Sequence, residues 1–162
     1  MRPTLALALI CLAAGCEPTR TTGSAEQPDS IVLERTPCVG TCPAYRLSLA
    51  RSGTVHFRSL NPGDSARTAT DVLPRSAFER LARQAEEAGI YALPDSIIGS
   101  YLCAGRATDY PFAVVTLFDG SRTKRVVDYL GCAPGPILLR RLGLAIDSTA
   151  ASGRWVHAVR TR

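Results

Sequence analysis

Tyr45, Leu47 and Leu49 alternate with Arg46, Ser48 and Ala50, and after Ser52-Gly53 the alternation resumes with Val55 and Phe57 against Thr54, His56 and Arg58. A period of two places one set of side chains on a buried sheet face, so this stretch predicts a β-hairpin turning at the glycine. A shorter β-type run, Ile31-Val-Leu-Glu-Arg35, precedes it, and the polar residues from Asn61 to about Asp71 read as loop. The period then lengthens. Phe78, Leu81, Ala82 and Ala85 share one helical face, which predicts an amphipathic helix from about Arg75 to Ala88. Ser76 followed three residues later by Glu79 reads as its capping box, and Gly89 as its stop.

The arrangement then recurs. Phe112 to Phe118 and Arg122 to Tyr129 are rich in Val, Thr and aromatics, and Asp119-Gly120 between them is a strong two-residue turn signal. That turn sets Phe118 opposite Ser121 and, carried on, brings Asp109 beside Leu130. After Pro134-Gly-Pro136 the spacing of Ile137, Leu138, Arg141, Leu142, Ala145 and Ile146 predicts a second helix with proline at its first turn. Consecutive hairpins call for an antiparallel sheet, and two amphipathic helices cover one of its faces. The expected fold is therefore α+β, built from two ββα units. The tail Gly153 to Val159 either adds an edge strand or packs Trp155 on the core.

The N-terminus has a different texture. A basic start at Arg2, an apolar run from Leu5 to Ala14 and then Gly15-Cys16 form the layout of a secretory signal. The run falls short of the roughly 20 apolar residues that a membrane span needs. Leu12-Ala-Ala-Gly-Cys16 resembles the lipobox of bacterial lipoproteins, with leucine one place further upstream than usual. The resemblance implies acylation of the Cys16 thiol, and Glu17 after it implies sorting to the outer membrane. The other reading is an ordinary secretory signal cut nearby. From Glu17 to Asp29 the chain is rich in Thr, Pro, Ser and Gly without apolar periodicity, as a tether is. The expected organisation is a signal peptide over 1–15, a lipid-anchored tether over 16–29, one domain over 30–157 and a loose tail over 158–162.

The formal net charge of +5 comes from scattered arginines, Lys124 being the only lysine. An exported chain without a basic run meets anionic lipid or lipopolysaccharide more readily than nucleic acid, and a solvated surface accounts for most of these charges. No nucleic-acid partner and no cofactor are expected.

Four cysteines follow Cys16: Cys38, Cys42, Cys103 and Cys132. In an oxidising compartment they tend to pair, and four allow three connectivities. Cys103 and Cys132 flank the open end of the second hairpin and can bridge if the loop around Gly105 folds back. Cys38 and Cys42 then bridge across Val39-Gly-Thr41. The rival reading takes Cys38-x-x-x-Cys42-Pro43 as a dithiol or soft-metal site for copper or zinc. The spacing resembles the CxxxCP element of Sco-type copper chaperones, but that family has a helix after the motif, where Tyr45 to Ala50 alternates like a strand. Four-cysteine zinc is less well supported, because paired CxxC knuckles are missing.

Other chemistry is thin. His56 falls on the outward face of its hairpin. No GxSxG, HExxH or glycine-rich phosphate loop occurs. Asp109 and Asp128 share a sheet face if the register holds, and could work as a carboxylate pair or hold calcium; the plainer expectation is that Asp109 makes a turn and Asp128 pairs with an arginine.

Thr36-Pro-Cys-Val-Gly-Thr-Cys-Pro-Ala-Tyr45, Thr108-Asp-Tyr-Pro111, Lys124-Arg-Val-Val-Asp-Tyr129, Leu138 to Leu142, Ile146-Asp147 and Trp155 together resemble the bacterial family called domain of unknown function 6438. The segment TPCxGTCPxY is the most specific part of the likeness. The family is found largely in predicted lipoproteins and secreted proteins, so the resemblance speaks to fold and location. Cys103 and Cys132 look like a subgroup feature of it. The functional expectation is a non-enzymatic, lipid-anchored envelope module, disulfide-stabilised, that binds an envelope protein or supports an assembly. The alternative is a thiol-based metal or redox protein acting through Cys38 and Cys42.

Overall fold

The computed structural model describes residues 27–64, 66–120 and 122–156. The expected signal peptide, Cys16, most of the tether, His157 and the 158–162 tail lie outside the described residues. Six strands form one antiparallel sheet: β1 (Ser30–Arg35), β2 (Tyr45–Ala50), β3 (Thr54–Ser59), β4 (Thr68–Val72), β6 (Phe112–Asp119) and β7 (Arg122–Tyr129), in the order β4-β3-β2-β1-β6-β7. Gln27 to Asp29 belong to the fold, since the Asp29 amide donates to the Phe118 carbonyl at 2.6 Å. In β1 Ile31, Val32 and Leu33 are buried in succession, whereas β2 and β3 keep strict alternation.

Cross-strand rows define the two faces. Leu33 stands opposite both Leu47 and Val115, and these lead on to Phe57 and Val126. This is the face covered by α1 (Arg75–Glu87) and α2 (Ile137–Thr149), whose Phe78, Leu81, Leu142 and Ile146 join it in one core. Burying each of these large side chains contributes roughly 1.5–3 kcal/mol. The neighbouring row, Glu34, Arg46 and Arg58, points the other way, with both arginines exposed. The fold is α+β, with both helices on one sheet face, as the hydrophobic pattern predicts.

Three local expectations are corrected. The stretch to Asp71 is not all loop, because Thr68–Val72 pairs with β3 as an edge strand. Its side chains alternate between exposed and half-buried, so it lacks the apolar content by which strands are recognised. Ser76 does not cap α1. The backbone stays tied to the sheet through Leu73, whose amide donates to Gly53, and Pro74 takes the cap position without a side-chain bond, so Ser76 is already helical. Glu79 instead pairs with Arg75. In the second hairpin Asp119 faces Arg122 and Phe118 faces Thr123, so the turn is Gly120-Ser121 rather than Asp119-Gly120. Side chains repeat every two residues, so this slip leaves the same residues facing the core. At the C-terminal end the second of the two options for the tail holds: Ser152–Arg154 is a 3-10 turn, and Trp155 packs on the core, stacking on Phe57 at 5.5 Å.

The two sheet edges differ. Along β7, Val127 donates to the Asp95 carbonyl and accepts from Ile97, both at 2.9 Å, so an extended segment covers that edge. Along β4 the Asp71 carboxylate takes the Val72 amide at 2.8 Å. Such a bond blunts an edge against strand addition.

Candidate functional site

Cys38 and Cys42 are joined, with their Cα atoms 5.5 Å apart. The bridge closes a loop between β1 and β2 whose tip carries Val39, 79% exposed. Both roots of this loop are pinned. The Thr36 amide donates to the Phe112 carbonyl at 3.1 Å and the Thr36 hydroxyl accepts from the Phe112 amide at 2.8 Å. On the other side the Ala44 amide donates to Asn61 Oδ1 at 2.9 Å. Cys103 and Cys132 are likewise joined, their Cα atoms 4.8 Å apart, beside a two-residue ladder between β5 (Gly105–Arg106) and β8 (Cys132–Ala133). The loop around Gly105 does fold back.

Three ionic clusters tie α2 and the loops to the sheet. Arg35 Nη2 donates to Asp147 Oδ2 at 2.8 Å, and Asp147 Oδ1 accepts from the Tyr45 hydroxyl at 2.6 Å and the Ser152 hydroxyl at 3.1 Å. Burial first, and then the hydrogen bond to the Asp147 carboxylate, push the Tyr45 phenol up to about 12. Arg140 Nε donates to Asp128 Oδ2 at 2.8 Å, and Arg140 Nη2 reaches Asp128 Oδ1 and the Tyr129 and Cys132 carbonyls at 3.0–3.2 Å. Asp128 is 1% exposed, so a guanidinium holding both its oxygens is what makes its charge tolerable. Finally, Asp119 Oδ2 accepts from the Tyr91 hydroxyl and from Arg122 Nη2, each at 2.7 Å, while Arg122 lies over the Tyr91 ring at 3.8 Å. Arg122, and next Tyr91, hold the Asp119 carboxyl below its ordinary range; burial and Asp119 raise the Tyr91 phenol.

This third cluster borders a cavity of about 560 Å³ between α1, the 3-10 turn Ile90–Ala92 and the end of β6. Ala82, Ala85, Ile90, Leu117 and Pro28 give it an apolar lining, with the exposed Arg83 and Glu86 alongside. Its volume is in the range of small-molecule sites.

The residues singled out from sequence are not gathered into one place. Asp109 is exposed, has φ 67° and accepts from the Thr108 hydroxyl, while Asp128 is buried with Arg140, so the two carboxylates do not form a pair. His56 is exposed on the outer sheet face, its Nδ1 3.4 Å from Thr70 Oγ1. Among the described residues no cluster of three His, Cys, Asp or Glu could hold a metal ion, and no helix is long and apolar enough to cross a membrane. Sequence reasoning missed the Arg35–Asp147–Tyr45 cluster and the cavity. The one signal for the former is the charged Asp147 that follows the apolar Ile146 on α2.

No curated protein matches the chain. The model of one family, described as Domain of unknown function (DUF6438), matches residues 29–149, from the residue before β1 to the last residue of α2. The match takes in both helices, all six strands of the main sheet and all four bridged cysteines, and the chain belongs to that family.

Proposed function

We propose that this protein is a lipid-anchored module of the cell envelope, held at the outer membrane through Cys16 and facing the periplasm, that works by binding an envelope partner rather than by catalysis. The observation that carries the reading is the Cys38–Cys42 loop, short, covalently closed, pinned at both roots and carrying an exposed Val39. A recognition loop that is already ordered loses little conformational entropy on docking. Both bridges suit an oxidising compartment, and the signal-like run before Gly15-Cys16 supplies the export route.

The test is intact-mass analysis of the protein extracted from membranes, with and without reductant. The expected result is an acylated Cys16 as the N-terminal residue and two bridges, Cys38–Cys42 and Cys103–Cys132, present before reduction. An unmodified N-terminus at another residue removes the anchor. Free Cys38 and Cys42 thiolates carrying copper or zinc would replace the binding module with the thiol-based metal or redox protein. A Cys16→Ser chain is expected to leave the membrane fraction in a 1 M salt wash, where surface charge attraction is screened and only an acyl anchor would hold it.

A further inference from the structure

Both helices lie on one face of the sheet; the opposite face carries neither, and although Val32, Val114 and Thr116 on it are buried, its arginines are exposed. Its central row runs Thr68, Arg58, Arg46, Glu34, Val114 and Val127 across the six strands, and the next row runs Thr70, His56, Ser48, Val32, Thr116 and Arg125. Three arginines thus face one glutamate. Glu34 is already bonded to Arg46 at 3.3 Å, and no carboxylate pairs with Arg58 or Arg125 among the described residues. Arg46 and Arg58 stand directly opposite each other on neighbouring strands. Like charges in that relation oppose folding, so the positive potential here is not a by-product of sheet stability. Around the guanidinium groups lie the exposed hydroxyls of Thr68, Thr70 and Thr123, donors that suit phosphate oxygens.

The outermost row has a different character. Val72, 70% exposed, and Phe118, 37% exposed, stand on it with Ser30 and Thr54 between them. It is also the row next to Asp29, the end of the sheet at which the chain from Cys16 arrives. The ten residues between Cys16 and Gln27 span at most about 40 Å fully extended.

We propose that the exposed residues of this arginine-bearing face form a docking surface for an anionic phospholipid bilayer: Arg46, Arg58 and Arg125 meet lipid phosphates, and Phe118 and Val72 enter the headgroup boundary. A lipid chain combined with a basic surface is the usual two-signal arrangement for stable membrane residence. The proposal rests on the anchor only for delivery to the bilayer, and the surface is testable without it.

The test uses the chain without its first fifteen residues and with Cys16→Ser, which has no lipid. Its partitioning onto vesicles of phosphatidylcholine with phosphatidylglycerol is compared with that onto phosphatidylcholine alone. Binding is expected only to the anionic vesicles, and weaker as salt rises from 0.1 M to 1 M, where screening shortens from about 10 Å to about 3 Å. Combined Arg46→Gln, Arg58→Gln and Arg125→Gln is expected to lower partitioning on the order of 100-fold, at about fivefold per arginine near such a surface. The same loss of charge on the helices, Arg80→Gln, Arg83→Gln and Arg141→Gln, is expected to change it severalfold at most. Equal binding to both vesicles, equal losses in the two triple variants, or no vesicle binding would each overturn the proposal; the last would leave the face to an acidic protein. Because acylation of Cys16 is read by mass and the surface by a chain that lacks lipid, failure of either leaves the other measured.

Discussion

The Tyr45 hydroxyl donates to Asp147 Oδ1 at 2.6 Å, joining residues 102 positions apart at the start of β2 and the last turns of α2. Arg35, from the adjacent end of β1, holds the other carboxylate oxygen. Gly143 lies one turn earlier on the same helix, and a Cβ there would come within 3.2 Å of Arg35 Nη2 and 3.8 Å of a Leu33 methyl. The small residue lets the helix lie close over β1, and that closeness brings Asp147 within reach of both partners. Tyr45 also closes the CPxY end of the cysteine loop, so the contact that seats α2 also anchors the root of the loop.

Tyr45→Phe removes one hydrogen bond to an ionised carboxylate and leaves Arg35 and Ser152 in place. A loss of about 1.5–3 kcal/mol is expected in urea unfolding at neutral pH. The pH dependence follows from the phenol. Its folded pKa of about 12 lies above its ordinary 10.0, so the neutral form is favoured in the folded state. Its contribution is fully present below pH 10 and is lost as pH rises from about 10 through about 12. Ultraviolet titration should therefore show late-ionising phenols, with Tyr91 also raised, and Tyr45→Phe should remove one phenol from that late component. A variant that titrates like the parent chain above pH 10 would place the late phenols elsewhere.

Gly135→Ala is expected to mimic Arg140→Ala. Gly135 has φ 72°, and a Cβ there would sit 2.3 Å from the Arg140 guanidinium carbon. The arginine would be displaced from Asp128, leaving a buried carboxylate without its partner. Removing one side of a buried pair costs roughly 3–5 kcal/mol. Asp128→Asn with Arg140→Met should recover part of the loss, because both charges leave together. Chemical denaturation of these chains and of the combined Gly135→Ala, Arg140→Ala chain checks this, and additive losses in the combined chain would show that the two sites are independent.

The hairpin β2-β3 was legible because both strands alternate strictly and Ser52-Gly53 marks the turn between them. The helices were legible from their apolar spacing. β4 was not, since an edge strand of Thr, Ala and Asp buries too little to leave a hydrophobic period. The two-residue register slip in β6-β7 was hidden for the opposite reason: both registers bury the same face, and the choice is made by Asp119, held as a strand residue by Tyr91 and Arg122. The cysteine loop could be read as a local unit. Arg35, Tyr45 and Asp147 could not, because their meeting depends on how α2 crosses the sheet.

Asp119 gives the acid side of the pH profile. Its carboxyl is held below the ordinary 3.8 by Arg122 and then Tyr91, so it stabilises the fold above that value and the contribution is lost as pH falls below it. Arg122→Ala is expected to return the Asp119 carboxyl toward its ordinary range, read from its carbon-13 shift between pH 2 and 6. It should also speed amide exchange at Ile90–Ala92, which Tyr91 ties to the sheet. No change at the 3-10 turn would show that Tyr91 holds Asp119 without help from Arg122.

The two bridges should differ in what they contribute. In the chain-entropy account a cross-link stabilises by restricting the unfolded chain, and more so the longer the segment it closes. Cys103 and Cys132 are separated by 29 positions and Cys38 and Cys42 by 4. The same relation yields about 3.6 kcal/mol for the long closure and about 2 kcal/mol for the short one. Cys132 is also buried in the core, so Cys103→Ser with Cys132→Ser introduces a hydroxyl there and should lower Tm the more. Cys38→Ser with Cys42→Ser should cost less, because Thr36 and Asn61 still hold the roots of the loop. Thermal melts of both double variants order the two effects. A greater loss from the short bridge would mean that the loop organises the end of the sheet, rather than being held by it.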